Sequence, residues 1–134
     1  MSVIVDASVA VKWFSDEPQA NSAEALLTST EPLIAPNLVI AEIGSALWKK
    51  VIRKLIDPQQ ALRAMTEAPT YFDRLVPLEE LASRATELAI DLRHPIYNCF
   101  YLALAERERA PIVSADAKLL AAATQVKGVE AREL

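Results

Sequence analysis

Val3-Ile4-Val5-Asp6-Ala7-Ser8 sets three apolar residues, an acid and two small residues in a row near the start of the chain. An apolar run this short, with no polar alternation, reads as a strand buried on both faces, as in parallel sheets. Asp6 follows it directly. In an open parallel sheet ligands gather beyond the carboxyl ends of the strands, so an acid at that place is a candidate site residue. The pattern recurs at Leu33-Ile34-Ala35, framed by prolines, and at Pro111-Ile112-Val113, which runs through Ser114 and Ala115 into Asp116.

Helical patterns fill the spaces between these runs. Ala7 to Phe14 reads as a short helix and Gln19 to Ser29 as a second. Asn37 is placed to cap a long helix that carries Glu42 and ends near Leu55-Ile56. Asp57-Pro58 starts a helix to about Glu67. Tyr71 to Val76 reads as a strand, and Leu78 to Leu92 as a helix. His94-Pro95 opens a helix through Asn98 to about Arg109, and Ala117 to Ala123 forms the last one. Val129 to Leu134 is a candidate edge strand. Strands alternating with helices predict an α/β domain with helices on both faces of the sheet.

Composition narrows the function. The chain has 134 residues, the size of one domain. Its 52% hydrophobic content is high enough to suggest a partner surface. A net charge of -4 argues against broad electrostatic coating of nucleic acid. The two glycines, Gly44 and Gly128, form no phosphate-binding loop. One histidine, His94, argues against a histidine metal site or a Ser-His-Asp triad. Cys99, the one cysteine, reads as a buried small hydrophobe and fits a reducing cytoplasm. No bilayer-spanning run and no signal peptide is expected. What remains is carboxylate chemistry.

Four residues are candidates for one site: Asp6, Glu42, Asn98 and Asp116. Asp6 and Asp116 follow strands; Glu42 and Asn98 lie one turn into helices. Each has a plainer explanation taken singly. The aspartates could be helix caps, Glu42 a solvated face, and Asn98 a buried amide bonded to backbone. Taken together they favour a shared site, because gathered acids repel one another unless a cation sits among them.

The segments that carry these residues resemble the PIN-domain ribonucleases, specifically VapC-type toxins. Val3-Ile4-Val5-Asp6-Ala7-Ser8-Val9-Ala10-Val11-Lys12-Trp13 is similar to the family's opening motif, and Pro36 to Leu47 to its second. His94 to Ala105 matches the third with one exception, and Ala110 to Asp116 matches the fourth. The likeness spans nearly the whole chain in the right order. It implies a three-layer α/β/α sandwich with a central, mostly parallel sheet. It also implies a Mg²⁺- or Mn²⁺-dependent endoribonuclease and a cognate antitoxin. Asp6, Glu42, Asn98 and Asp116 fall at its metal-binding positions, and Ser8 and Ser114 at positions that line the same pocket.

The exception is Asn98, where the family pattern has aspartate. Asparagine keeps the shape and one acceptor oxygen but loses the charge. Each carboxylate-metal interaction is worth on the order of a few kcal/mol, so cation binding is expected to weaken. A deliberately disarmed toxin and a natural divergent member are the two explanations, and the intact remainder of the motif favours the first. A non-catalytic module that binds antitoxin or RNA stays open as an alternative. A phosphoacceptor (receiver) domain is disfavoured, since no matching aspartate and lysine pair stands out.

Lys49, Lys50, Arg53 and Lys54 form a basic cluster, with Lys12 as a further candidate. They are either a solvated face or an RNA-backbone contact leading toward the acids. Trp13, Phe14, Trp48 and Tyr71 are candidates for core, or for the surface of an antitoxin groove or homodimer.

Overall fold

A computed structural model describes residues 1–134. Its centre is a five-stranded sheet of β1 (Val3–Val5), β2 (Leu33–Pro36), β3 (Arg74–Val76), β4 (Ile112–Ser114) and β5 (Ala131–Glu133). The strand order is β3-β2-β1-β4-β5 and every pairing is parallel. Val3, Ile4 and Val5 are fully buried in the central strand, as their unbroken apolar run requires.

The helices are α1 (Ala7–Ala10), α2 (Ala20–Thr28), α3 (Leu38–Ile52), α4 (Pro58–Glu67), α5 (Ala82–Leu92), α6 (Ile96–Glu108) and α7 (Ala117–Ala123). Connections from β1 to β2 to β3 step one way across the sheet; those from β3 to β4 to β5 step the other way. Right-handed crossovers then put α1–α4 on one face and α5–α7 on the opposite face, giving three layers. α6 packs along β2, β1 and β4 and is covered by α5. That sandwiched place explains why Cys99 and Tyr101–Ala105 are all buried. The chain reverses direction between β1 and β4, so the crevice at their carboxyl ends is the topological switch point.

Most expected elements are present, with shifted ends. Asp57 and Gln60 form a reciprocal capping box, with Pro58 in the first turn of α4. Asn37 does not cap α3 with its side chain. Its backbone is already helical, and its N–H instead donates to Val76 O at 2.9 Å, tying the helix start to β3. α3 stops at Ile52, short of Leu55-Ile56. Lys54 turns left-handed at φ 60°, and Leu55 N bonds back to Lys50 O at 2.9 Å, a Schellman closure without glycine.

The expected strand from Tyr71 begins only at Arg74. Residues Ala68–Tyr71 form a 3-10 turn, because Tyr71 turns inward to stack on Phe14 at 5.5 Å and meets Trp13 edge-on at 5.7 Å. A second 3-10 turn over Leu78–Glu80 precedes α5. Ala7–Phe14 is likewise divided, into α1 and a 3-10 turn over Val11–Trp13. Trp13 and Phe14 pack against the core, whereas Trp48 is 62% exposed.

Candidate active site

Asp6 ends the central strand and is only 5% exposed. Its Oδ1 accepts from Ser8 Oγ at 2.7 Å and from the Val9 N–H at 3.3 Å. Its Oδ2 accepts from Ser114 Oγ at 2.7 Å. The serines are themselves fixed by backbone: Ala115 N–H donates to Ser8 Oγ at 3.0 Å, and Asp116 N–H to Ser114 Oγ at 2.9 Å. Two serines therefore stitch the ends of β1 and β4 around one buried carboxylate.

Asp116 sits at the rim of this network. Its Oδ1 caps α7 through the Lys118 N–H at 2.9 Å. Both aspartates are thus helix caps as well as neighbours at the switch point, so the capping role and a place at the candidate site coincide.

Glu42 reaches the same rim from α3. Its Oε1 accepts from the Tyr101 hydroxyl at 2.6 Å, a contact between residues 59 apart in sequence. Burial raises the Glu42 carboxyl above its ordinary value; the Tyr101 bond opposes that, and the charges of Asp6 and Asp116 add to it. Asp6 is raised too, chiefly by burial, with Ser114, Ser8 and the Val9 N–H opposing and Asp116 adding to the rise. The Tyr101 hydroxyl is pushed up by burial and by Glu42. Three acids from separate segments lie within each other's electrostatic reach, and none of them is ion-paired with a lysine, arginine or histidine.

Asn98 lies on the helix that carries Tyr101, three residues earlier and so on the same face. Its amide Nδ2 donates to His94 Nε2 at 2.9 Å. That bond uses the side chain's donor end and leaves the carbonyl oxygen as the end that could meet a cation. Asn98 makes no hydrogen bond to Asp6, Glu42 or Asp116.

No three histidine, cysteine, aspartate or glutamate side chains are gathered tightly enough to cage an ion alone. The donors at the rim are all oxygens, the set preferred by hard divalent cations. Mg²⁺ commonly keeps several waters and binds through one or two carboxylates. The residues present fit a hydrated Mg²⁺ or Mn²⁺ ion better than a closed cage.

An open groove of about 400 Å³ leads away from Ser8 and Glu42 past Lys49, Lys50 and Arg53. Lys54 lies outside it, because the left-handed turn at that residue directs it to a separate hollow with Asp57 and Gln60. Lys12 is tied to Glu17 at 3.1 Å and Lys50 to the same carboxylate at 2.9 Å.

Sequence reasoning passed over Tyr101 and Glu17. The signal for Tyr101 was a phenol at i+3 from Asn98 within the apolar stretch Cys99–Ala105, since a buried tyrosine hydroxyl needs a partner. No local signal pointed to Glu17.

Comparison with known proteins agrees with this architecture. The chain is 26% identical over 121 residues to Ribonuclease VapC3 of Pyrobaculum aerophilum, covering 89% of this chain and 92% of that protein. The fold is similar to that of Mycobacterium tuberculosis VapC20, described as a Sarcin-Ricin loop cleaving toxin. The TM-score is 0.71 at 17% identity, over 90% of this chain and 95% of that one. It is also similar to a chain of a toxin-antitoxin complex from Klebsiella pneumoniae, with TM-score 0.69 at 18% identity over 96% and 95% of the two chains. The PIN domain family matches residues 3–125, and with that match the chain belongs to the PIN-domain family.

Proposed function

We propose that this chain is a divalent-cation-dependent endoribonuclease toxin, paired with a cognate antitoxin and weakened by Asn98. Family membership and relatives named as ribonucleases support the reaction class. The observation that carries the reading is the Asp6 carboxylate, buried at the switch point with Glu42 and Asp116 adding to the same negative field.

Asp6, Glu42, Asp116 and the Asn98 carbonyl would hold the ion. Bound there, a divalent cation acidifies a water and offsets charge on the scissile phosphate. The chain's own residues do the positioning. Ser8 and Ser114 fix the Asp6 carboxylate, and Tyr101 fixes Glu42. Lys49, Lys50 and Arg53 line the groove as phosphate contacts, with Lys12 and Lys54 beyond it as outer contacts. Such contacts place an RNA strand without reading its sequence. Asn98 supplies an oxygen but no charge, so it lowers cation affinity.

Trp48 and Ile52, one turn apart on α3, are each 62% exposed, and Leu62 on the adjoining α4 is 64% exposed. We assign these exposed apolar side chains to contacts with the antitoxin or with a second copy in a homodimer. No helix is long and apolar enough to cross a membrane; the proposed site of action is the cytoplasm.

The test compares the parent chain with Asn98→Asp on total RNA, with Mg²⁺ or Mn²⁺ and with EDTA. Cation-dependent cleavage that rises at least tenfold in Asn98→Asp supports the reading. If neither protein cuts RNA or arrests growth, the alternative of a non-catalytic antitoxin- or RNA-binding module takes its place.

A further inference from the structure

Glu17 is one of two acids in the molecule, with Glu108, that pair with two cations each. One carboxylate oxygen pairs with Lys12 Nζ at 3.1 Å and the other with Lys50 Nζ at 2.9 Å. The second oxygen also accepts a hydrogen bond from Ser15. Lys12 is anchored further by the Pro18 carbonyl at 3.1 Å. Two ammonium groups and a hydroxyl converging on an anion are the donor set expected of a phosphate subsite.

Position gives this cluster meaning. Lys50 and Leu55 line both the groove that starts at Ser8 and Glu42 and a second hollow of about 550 Å³ that contains Glu17, Ser15 and Trp13. Lys50 therefore stands where the two meet, about two helical turns along α3 from Glu42. The other groove cations, Lys49 and Arg53, take part in no ion pair. Among the groove cations only Lys50 carries an internal counter-ion, which it shares with Lys12.

We propose that the Glu17 carboxylate is an internal stand-in for an RNA backbone phosphate, holding Lys12, Lys50 and Ser15 until a strand entering the groove displaces it. The inference rests on reading the groove as the RNA surface. The pairing is strong enough to keep Glu17 ionised. Burial works against its charge, but bonds from Ser15, Lys50 and Lys12 hold the carboxyl at about 2. It is open enough to be broken, since the side chains are 12% exposed at Lys12, 20% at Glu17 and 21% at Lys50. An incoming phosphate would offer both ammonium groups the same charge-assisted contacts, so displacement exchanges one set of bonds for another. The latch thus lowers affinity for RNA and selects strands long enough to reach from the acids to Lys50.

The test measures binding of a fluorescein-labelled twelve-nucleotide oligouridylate by anisotropy, in EDTA and from 50 to 200 mM KCl. Glu17→Gln should bind about three- to tenfold tighter at the lowest salt, since two cations are freed. Its dependence of log K on log salt should steepen by about 0.7 for each lysine released. Lys49→Ala with Arg53→Ala should weaken binding several-fold and flatten the same slope. Lys50→Gln in the parent background gives a measure independent of the Glu17 variant's folding. Because Lys50 is already engaged, it should cost less than twofold, well below Lys49→Ala. Binding by Glu17→Gln that is unchanged or weaker overturns the latch while leaving the groove assignment intact, as does a Lys50→Gln loss equal to that of Lys49→Ala. If the Lys49 and Arg53 pair proves silent, the groove reading fails and the latch falls with it.

Discussion

Ser114→Ala removes one buried oxygen that does two jobs. Ser114 is wholly buried, donates to Asp6 Oδ2 at 2.7 Å and accepts the Asp116 N–H at 2.9 Å. A hydrogen bond to an ionised group contributes about 1.5–3 kcal/mol, and a stranded N–H costs about 1 kcal/mol more. The expected loss is about 3 kcal/mol at neutral pH. Unfolding entropy near 2.1 cal/mol/K per residue gives about 0.28 kcal/mol/K for 134 residues, so the midpoint should fall by about 10 °C. Ser8→Ala is the control. Ser8 likewise donates to the other oxygen at 2.7 Å and accepts the Ala115 N–H at 3.0 Å, but it is only part-buried, so water can replace both bonds. Its expected cost is about 1 kcal/mol, or about 4 °C. The gap should narrow in acid. Burial raises the folded-state carboxyl of Asp6 above its ordinary value and the serine bonds oppose that rise, so their contribution belongs to the ionised form and fades as acid protonates it. The assay is thermal melting followed by circular dichroism in EDTA, at pH 7.5 and pH 4. A Ser114→Ala loss below about 0.5 kcal/mol, or a Ser8→Ala loss that exceeds it, would show that the serines do not support the carboxylate as described.

Glu17 gives an acid-side prediction. Its folded-state carboxyl is depressed from 4.5 to about 2, so its stabilisation is complete above 4.5 and is lost as pH falls toward 2. Urea midpoints should therefore drop more steeply across that window in the parent than in Glu17→Gln; parallel curves would contradict the ion pairs. Divalent cations should raise the melting temperature of Asn98→Asp more than that of the parent. Binding tenfold tighter than the 10 mM Mg²⁺ supplied corresponds to about 1.4 kcal/mol, or roughly 5 °C, reversed by EDTA. Equal shifts in the two proteins would remove position 98 from the cation site. Lys54→Gly should stabilise the fold by about 0.5–1 kcal/mol, since glycine accepts the φ of 60° that lysine adopts at a cost. Urea unfolding checks it, and a destabilised variant would mean that the lysine side chain supports the turn in some other way.

The legible parts of the molecule were those written in consecutive residues. The apolar runs before Asp6 and Asp116 fixed the strands and put both acids at the switch point, because β1 and β4 are adjacent and parallel. The ends of α5 and α6 were legible because Pro95 and Pro111 follow closely on the left-handed caps at Arg93 and Arg109. The end of α3 was not, since Lys54 takes the same conformation with neither glycine nor an adjacent proline to mark it. Asn37 misled for a related reason: a good capping residue was recruited by a neighbouring strand instead. Contacts between distant segments were beyond reach. Nothing near Glu42 names Tyr101, and nothing near Lys50 names Glu17. The basic cluster read as four neighbours, yet helix geometry and the turn divide it into groove residues, a latched lysine and one residue facing elsewhere.

Capping alone does not account for Asp6. The helix that it caps is four residues long, and a side-chain cap contributes about 1 kcal/mol. Sequestering a carboxylate from water costs several kcal/mol even after relaxation. The bond to the helix, at 3.3 Å, is also the longest of the three that Asp6 accepts; the two from serines, one of them from across the sheet, are 2.7 Å each. The network is therefore built around the carboxylate rather than around the helix end. Glu42 and Asp116 then add negative potential where the fold could have placed a lysine or a neutral amide. A purely structural centre would relieve that repulsion with a protein cation. Here the nearby lysines are directed down the groove, and two of them are held by Glu17. Acids gathered at the switch point, with cations ranged along the approach, are the features on which the proposed cation and nucleic-acid contacts rest.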